Sequence, residues 1–245
     1  MCLLLLLHRV HPEFPIVVAA NRDERLDRAS LPPERSSGGA VLAPRDARAG
    51  GTWIGVNRHG LFAGITNRSR APFDPRRPSR GAVCAAALAE RGARAAAERA
   101  AEESRRRPTN GFNLMVADAE EALVLHSEGE RAETIPLAPG LHVLTNEHDV
   151  DRLFVREIGE AFAALSTAHR DGEEALLATL AGIVRDHTVR TPENHAICKH
   201  FDGRGTVSSS LVLVPAAPGR TGRFLFADGA PCVTPFRDLS ASWPA

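Results

Sequence analysis

The chain has 245 residues, 43% hydrophobic and 24% charged, with 30 basic side chains balancing 30 acidic ones. That is the composition of a folded globular protein, and it excludes disordered, collagen-like and disulfide-scaffold classes. Zero formal net charge removes the electrostatic case for nucleic-acid binding, and no apolar run approaches the roughly 20 residues of a membrane-spanning helix.

The chain start, Cys2 followed by Leu3 to Leu7, has no positive residue before its apolar run and passes directly into His8-Arg9. A secretory signal needs that positive region and a longer apolar core, so the run reads as a strand, Cys2–His8, buried on both faces. The expected location is the cytoplasm. Phe14–Ala20 is a second apolar strand. Asn21 to Gly51 is polar and broken by Pro32, Pro33 and Pro44, which predicts a long surface excursion. Thr52–Asn57 and Leu61–Thr66 flank Arg58-His59-Gly60, a hairpin signal. Gly81–Glu103 is Ala-rich and reads as a helix with Gly92 as its weak point.

Phe112–Ala117 and Ala122–His126 form another strand pair, and Leu141–Thr145 is a strand ending at Asn146. Apolar residues recur at helical spacing over about 149–166, and again from Leu176 to Val184 behind an Asp171/Glu174 capping pattern. Ala196–Lys199, Ser208–Val214 and Phe224–Ala227 return to strands. Strands that group together, rather than alternating with helices, predict an α+β fold. Its expected form is a four-layer αββα sandwich of two antiparallel sheets flanked by helices, in one domain spanning 1–245.

Chemistry is concentrated at Cys2. Removal of Met1 would leave a residue carrying both a thiol and an α-amine, whose ordinary pKa near 8 lets it accept the thiol proton. Asp23 and Arg22, in Asn21-Arg22-Asp23-Glu24, stand where a hairpin of the first two strands would bring them to Cys2. In a regular strand Asn21 and Asp23 share one face and Arg22 the other, so both faces serve one site only if the chain leaves the sheet there. Asn146 can donate to a developing oxyanion, and Asn67 is a second candidate of that type. The other cysteines, Cys84, Cys198 and Cys232, form no C-x-x-C pair, so a zinc ribbon is not expected. Cys198 and His200, at i and i+2, share an expected strand face and could hold a metal or haem iron, and two ligands alone make a weak signal.

Cys2, Ala19-Ala20-Asn21-Arg22-Asp23-Glu24, Gly50-Gly51-Thr52-Trp53-Ile54-Gly55, Thr66-Asn67, Asn110-Gly111-Phe112-Asn113-Leu114, Leu144-Thr145-Asn146 and Gly205-Thr206-Val207-Ser208-Ser209-Ser210 follow one another along nearly the whole chain. This ordered set resembles the NRDE family, which includes the transport-and-Golgi-organisation 2 proteins. That family is similar in turn to the choloylglycine-hydrolase and penicillin-V-acylase branch of the N-terminal nucleophile hydrolases. The resemblance implies an αββα fold and amide hydrolysis with Cys2 as nucleophile, Asp23 as the carboxylate near its amine and Asn146 as oxyanion donor. The expected substrate-binding residues are Asn21, Arg22, Trp53, Asn67 and Arg204.

The arginines depart from the hydrolase pattern. Ala20 stands where those enzymes carry an Arg before the Asn, Ser208-Ser209-Ser210 leads into Leu211 rather than an Arg, and Arg204 is the nearest substitute. Val207 follows Gly205-Thr206 where the NRDE family commonly has Arg. Two functions follow: an amidohydrolase for a small amide or acyl substrate with no cofactor, or a non-catalytic carrier whose hydrophobic ligand the resemblance implies to be haem or an acyl lipid.

Overall fold

Strand alternation sorts the leucines of the chain start onto two faces of β1 (Leu3–His8), and both faces are buried. The computed structural model describes residues 2–129, 131–152, 172–188, 196–216 and 219–244. Leu3, Leu5 and Leu7 join Val17, Ala19 and Leu211 against an amphipathic helix. Leu4 and Leu6 join Ile16, Val18 and Val212 against a second sheet.

The first sheet is antiparallel, with β1 between β10 (Gly140–Thr145) and β2 (Ile16–Arg25). Beyond β2 come β12 (Arg204–Val214), β13 (Arg223–Ala227) and β14 (Arg237–Asp238), while the short β11 (His200–Phe201) pairs with β12. The second sheet is a meander of β3 (Ser30–Arg35), β4 (Val41–Asp46), β5 (Ile54–Asn57), β6 (Phe62–Asn67), β7 (Phe112–Ala117), β8 (Ala122–Ser127) and β9 (Ala132–Leu137). Helices α1 (Gly81–Ala87) and α2 (Ala93–Arg106) cover its outer face. Helix α3 (Glu173–Val184) covers the first sheet. The order helix–sheet–sheet–helix is the expected sandwich. Among the described residues no helix is long and apolar enough to cross a membrane.

The two sheets approach closely at Gly64, where a Cβ would lie 2.3 Å from Leu4 Cδ1. Helix α2 meets its sheet through Ala93, Ala96, Ala97 and Ala100, so small side chains let it lie close to β8.

Several sequence expectations need correction. The polar stretch 21–51 is not an excursion: β2 runs on to Arg25, and β3 and β4 follow. Its prolines fit because Pro32 and Pro33 of β3 and Pro44 of β4 all fall where the pairing of the two strands shifts register. The Ala-rich helix is two helices, because Gly92 is extended (φ −152°, ψ 165°) and Asp118 of the β7–β8 turn accepts the Ala93 N–H at 2.7 Å. Residues 196–199 form no strand, and β12 begins earlier, at Arg204. The expected helix over 149–166 and the Asp171 cap lie largely outside the described residues.

One buried histidine gives the fold a pH dependence. His142 Nδ1 is 2.7 Å from Asp151 Oδ2, and its Nε2 is 2.7 Å from the Ala138 carbonyl. Both partners are pure acceptors, so both ring nitrogens must donate, which requires the imidazolium. Burial opposes that charge, but the carboxylate and carbonyl outweigh it and the pKa is raised above 6.5. A raised folded-state value gives stability that is fully present below 6.5 and lost as pH rises through the raised value. Denaturation midpoints should therefore fall over that interval in the wild-type chain and fall less in His142→Gln. Equal pH slopes for the two chains would refute the assignment.

Candidate active site

The β1–β2 register pairs Leu3 with Asn21, so Cys2 stands one step on, beside Arg22. Across β2, a bulge between Thr206 and Ser208 of β12 sets Thr206 against Asp23 and Ser208 against Arg22. These strand ends form the floor of a cavity of about 730 Å³ lined by Cys2, Arg22, Asp46, Trp53 and Asn67 among others. Gly51 and Gly81 pack backbone to backbone at its wall, where a Cβ on Gly51 would lie 2.4 Å from the Gly81 carbonyl carbon.

Cys2 Sγ accepts from the Asp23 N–H at 3.4 Å and lies 3.6 Å from the Asp23 carbonyl. Burial pushes the Cys2 thiol above its ordinary value, and the Asp23 charge adds to this; the Asp23 N–H and the Arg22 cation offset part of the rise.

The Asp23 carboxylate is held on both oxygens. Thr206 Oγ1 donates to Oδ1 at 2.7 Å, and Lys199 Nζ is 3.5 Å from Oδ2. Lys199 is fixed in turn: its N–H donates to Thr206 Oγ1 and its carbonyl accepts the Thr206 N–H, both at 2.9 Å. Burial raises the Asp23 pKa, and the Lys199 cation and the Thr206 hydroxyl pull against it without cancelling it.

Arg22 lies on the opposite face of β2. Its guanidinium stacks 4.2 Å above the Trp53 ring centroid and lies 3.5 Å from Asp46 Oδ2. Asp46 also meets Arg28 Nε at 3.0 Å. Burial raises the Asp46 pKa, but the Ala49 N–H and Arg28 outweigh it and hold the carboxyl below its ordinary value. Arg22 Nη1 is buried with no hydrogen-bond partner. Arg22 lines the cavity, and a guanidinium there is suited to an anionic or carbonyl oxygen.

The chain therefore need not leave the sheet at Arg22, as alternation alone had required. Arg22 reaches the cavity by its side chain. Asp23 reaches Cys2 by its backbone, while its carboxylate turns to Lys199 and Thr206.

The remaining predicted residues are dispersed. Asn21 lines the cavity, but its amide donates to the Val184 and Ile197 carbonyls at 2.9 and 3.1 Å, which ties β2 to the helical layer. Asn67 ends β6 on the cavity wall. Asn146 is buried one step past the Leu3–Thr145 pair, across from Cys2 in register, and its Oδ1 has no hydrogen-bond partner; it is not among the lining residues. Arg204 does not line the cavity: it is exposed at the start of β12, with Nη2 4.0 Å from Glu24 Oε1.

Sequence reasoning missed Lys199, Thr206, Asp46 and the cavity arginines Arg25, Arg28, Arg48, Arg77 and Arg80. The signals present were that Lys199 is the sole lysine and that Thr206 sits in a Gly-Thr-Val-Ser-Ser-Ser run.

Comparison with known proteins gives the family and the fold. The chain is 27% identical over 233 residues to the Transport and Golgi organization protein 2 homolog of Bos taurus, with 83% of each chain covered. It is 25% identical to the Homo sapiens homolog over the same length and coverage. Among solved structures, penicillin V acylase from Agrobacterium tumefaciens superposes with a TM-score of 0.57 at 13% identity, covering 93% of this chain and 83% of that one. A mutant of conjugated bile acid hydrolase from Clostridium perfringens gives 0.56 at 12% identity, covering 98% and 93%. At these identities the likeness to the two hydrolases is one of fold. Residues 1–223 match the description Transport and Golgi organisation 2, and the chain belongs to that family.

Proposed function

We propose that this protein is an N-terminal-cysteine amidohydrolase acting on a small amide or acyl substrate that bears an anionic group. The carrying observation is that Cys2 and Arg22 line one cavity of about 730 Å³. The shared fold of penicillin V acylase and conjugated bile acid hydrolase supports the same reading.

The reaction begins once Met1 is removed. The α-amine of Cys2 takes the thiol proton, and the thiolate attacks the substrate carbonyl. We assign the oxyanion donor to the Asn146 amide, across from Cys2 in register. The ammonium returns its proton to the leaving nitrogen, the C–N bond breaks and a thioester remains. Water then attacks, giving its proton to the α-amine; the C–S bond breaks, and the acid leaves with the thiol restored. Asp23 orients the amine, and Arg22 holds the anionic group of the substrate.

The test combines intact mass, thiol labelling and turnover. The mature chain should lack Met1, iodoacetamide should label Cys2, and N-acyl amides with a carboxylate should be hydrolysed. A retained Met1, or a Cys2 inert to iodoacetamide, would falsify the hydrolase reading.

One observation favours a second reading, a carrier of an acyl or haem-like ligand. Arg204, the nearest substitute for the missing hydrolase arginine, is exposed and does not line the cavity. Haem titration distinguishes the two. A Soret band that shifts in Cys2→Ala, in a chain without turnover, supports the carrier; hydrolysis with no band rejects it.

A further inference from the structure

We propose that His187, Cys198, His200 and Cys232 form a tetrahedral zinc site, separate from the Cys2 cavity. One donor atom from each lies within 4.8 Å of all the others. Cys198 Sγ is 3.8 Å from His200 Nε2, which is 3.2 Å from Cys232 Sγ. Zinc bonds of about 2.3 Å to sulfur and 2.0–2.1 Å to nitrogen give tetrahedral edges of roughly 3.3–3.8 Å, so little closure is needed.

Three segments bring the donors together. His187 follows the end of α3, Cys198 and His200 flank Lys199 ahead of β12, and Cys232 lies in the loop before β14. Hydrogen bonds already join them: the Cys198 N–H donates to the Asp186 carbonyl at 2.8 Å, and the Arg185 side chain donates from Nε to the Pro231 carbonyl at 3.0 Å.

The donor set selects the ion. Two thiolates and two imidazoles suit zinc and exclude the hard cations calcium and magnesium, which take oxygen ligands. Binding releases two thiol protons to solvent, and the two thiolates neutralise the dication. Four protein donors complete the tetrahedron and leave no open position, so the site is structural rather than catalytic. A haem iron takes its in-plane ligands from the porphyrin, so four side-chain donors this close cannot all serve one. The bound ion would clamp the segment that presents Lys199 to Asp23.

Metal content of the full-length chain, purified under reducing conditions, should be one zinc per molecule. Cobalt(II) added to the stripped protein should give a thiolate charge-transfer band and intense tetrahedral d–d bands. Zinc should protect two of the four cysteine thiols from alkylation. Cys232→Ser, in a surface loop, should weaken metal binding by more than the roughly 100-fold that outer-shell partners cost, with an unchanged far-ultraviolet spectrum. His200→Ala should do the same if Cys198→Ser fails to fold. Weak octahedral cobalt bands, cobalt spectra unchanged in Cys232→Ser, or a Cys198–Cys232 disulfide in the reduced preparation would each overturn the proposal. These readouts do not involve turnover, so failure of the zinc site and failure of the hydrolase reading are distinguishable.

Discussion

Cys2→Ala is expected to lower turnover by roughly 10⁴-fold or more, the scale on which removing a nucleophile collapses covalent catalysis. The chain has few substitutes. It contains no tyrosine, and its one lysine, Lys199, is engaged with Asp23. The nearest competitor is Ser208, which lines the cavity with a buried hydroxyl that has no hydrogen-bond partner. Its register partner is Arg22, a cation that cannot act as a base. Ser208→Ala should therefore change KM and leave kcat within a few-fold. Cys2 precedes β1 and is only partly buried, so the alanine should change stability by less than about 1 kcal/mol. Stopped turnover with an unchanged denaturation midpoint is the expected pair of results. A Cys2→Ala chain that keeps its rate while Ser208→Ala loses it would move the nucleophile to β12.

What sequence showed and what it hid divide along a physical line. β1 was legible because five consecutive leucines can be buried only by a strand covered on both faces, and its partner β2 because Ile16 to Ala20 repeats that logic. The outer strands were not. β3 and β9 alternate little and are largely exposed, so they carry prolines and charges like those of a loop. The Ala-rich helix was legible in kind but not in its break, which depends on Asp118 arriving from a turn 25 residues away. At the site, Cys2 and Asp23 could be placed by a local hairpin argument. Thr206 meets Asp23 across 183 residues, and His187 and Cys232 approach Cys198 from separate loops. No spacing in the chain encodes those meetings; the order of strands in the sheet does.

The largest stability effect is expected at Asp23. Asp23 and Lys199 have side chains only 6% and 5% exposed, so neither charge is solvated by water. Asp23→Asn is nearly isosteric and keeps an acceptor for Thr206, yet it removes the carboxylate facing a buried ammonium. Breaking a buried ion pair on one side typically costs about 3–5 kcal/mol, more than the pair itself contributes. Lys199→Met should be costly for the mirror reason, since Asp23 would then be buried against the Thr206 hydroxyl without that cation. The double variant Asp23→Asn/Lys199→Met removes both charges together and should be more stable than the sum of the single effects predicts. Urea denaturation of the four chains measures this directly. Strong positive coupling, with Asp23→Asn also losing turnover, is expected of a carboxylate that ties the end of β2 to Lys199 and orients the chain's own amine. Additive effects would show that Lys199 and Asp23 are neighbours without being partners, and the amine would then need another residue to position it.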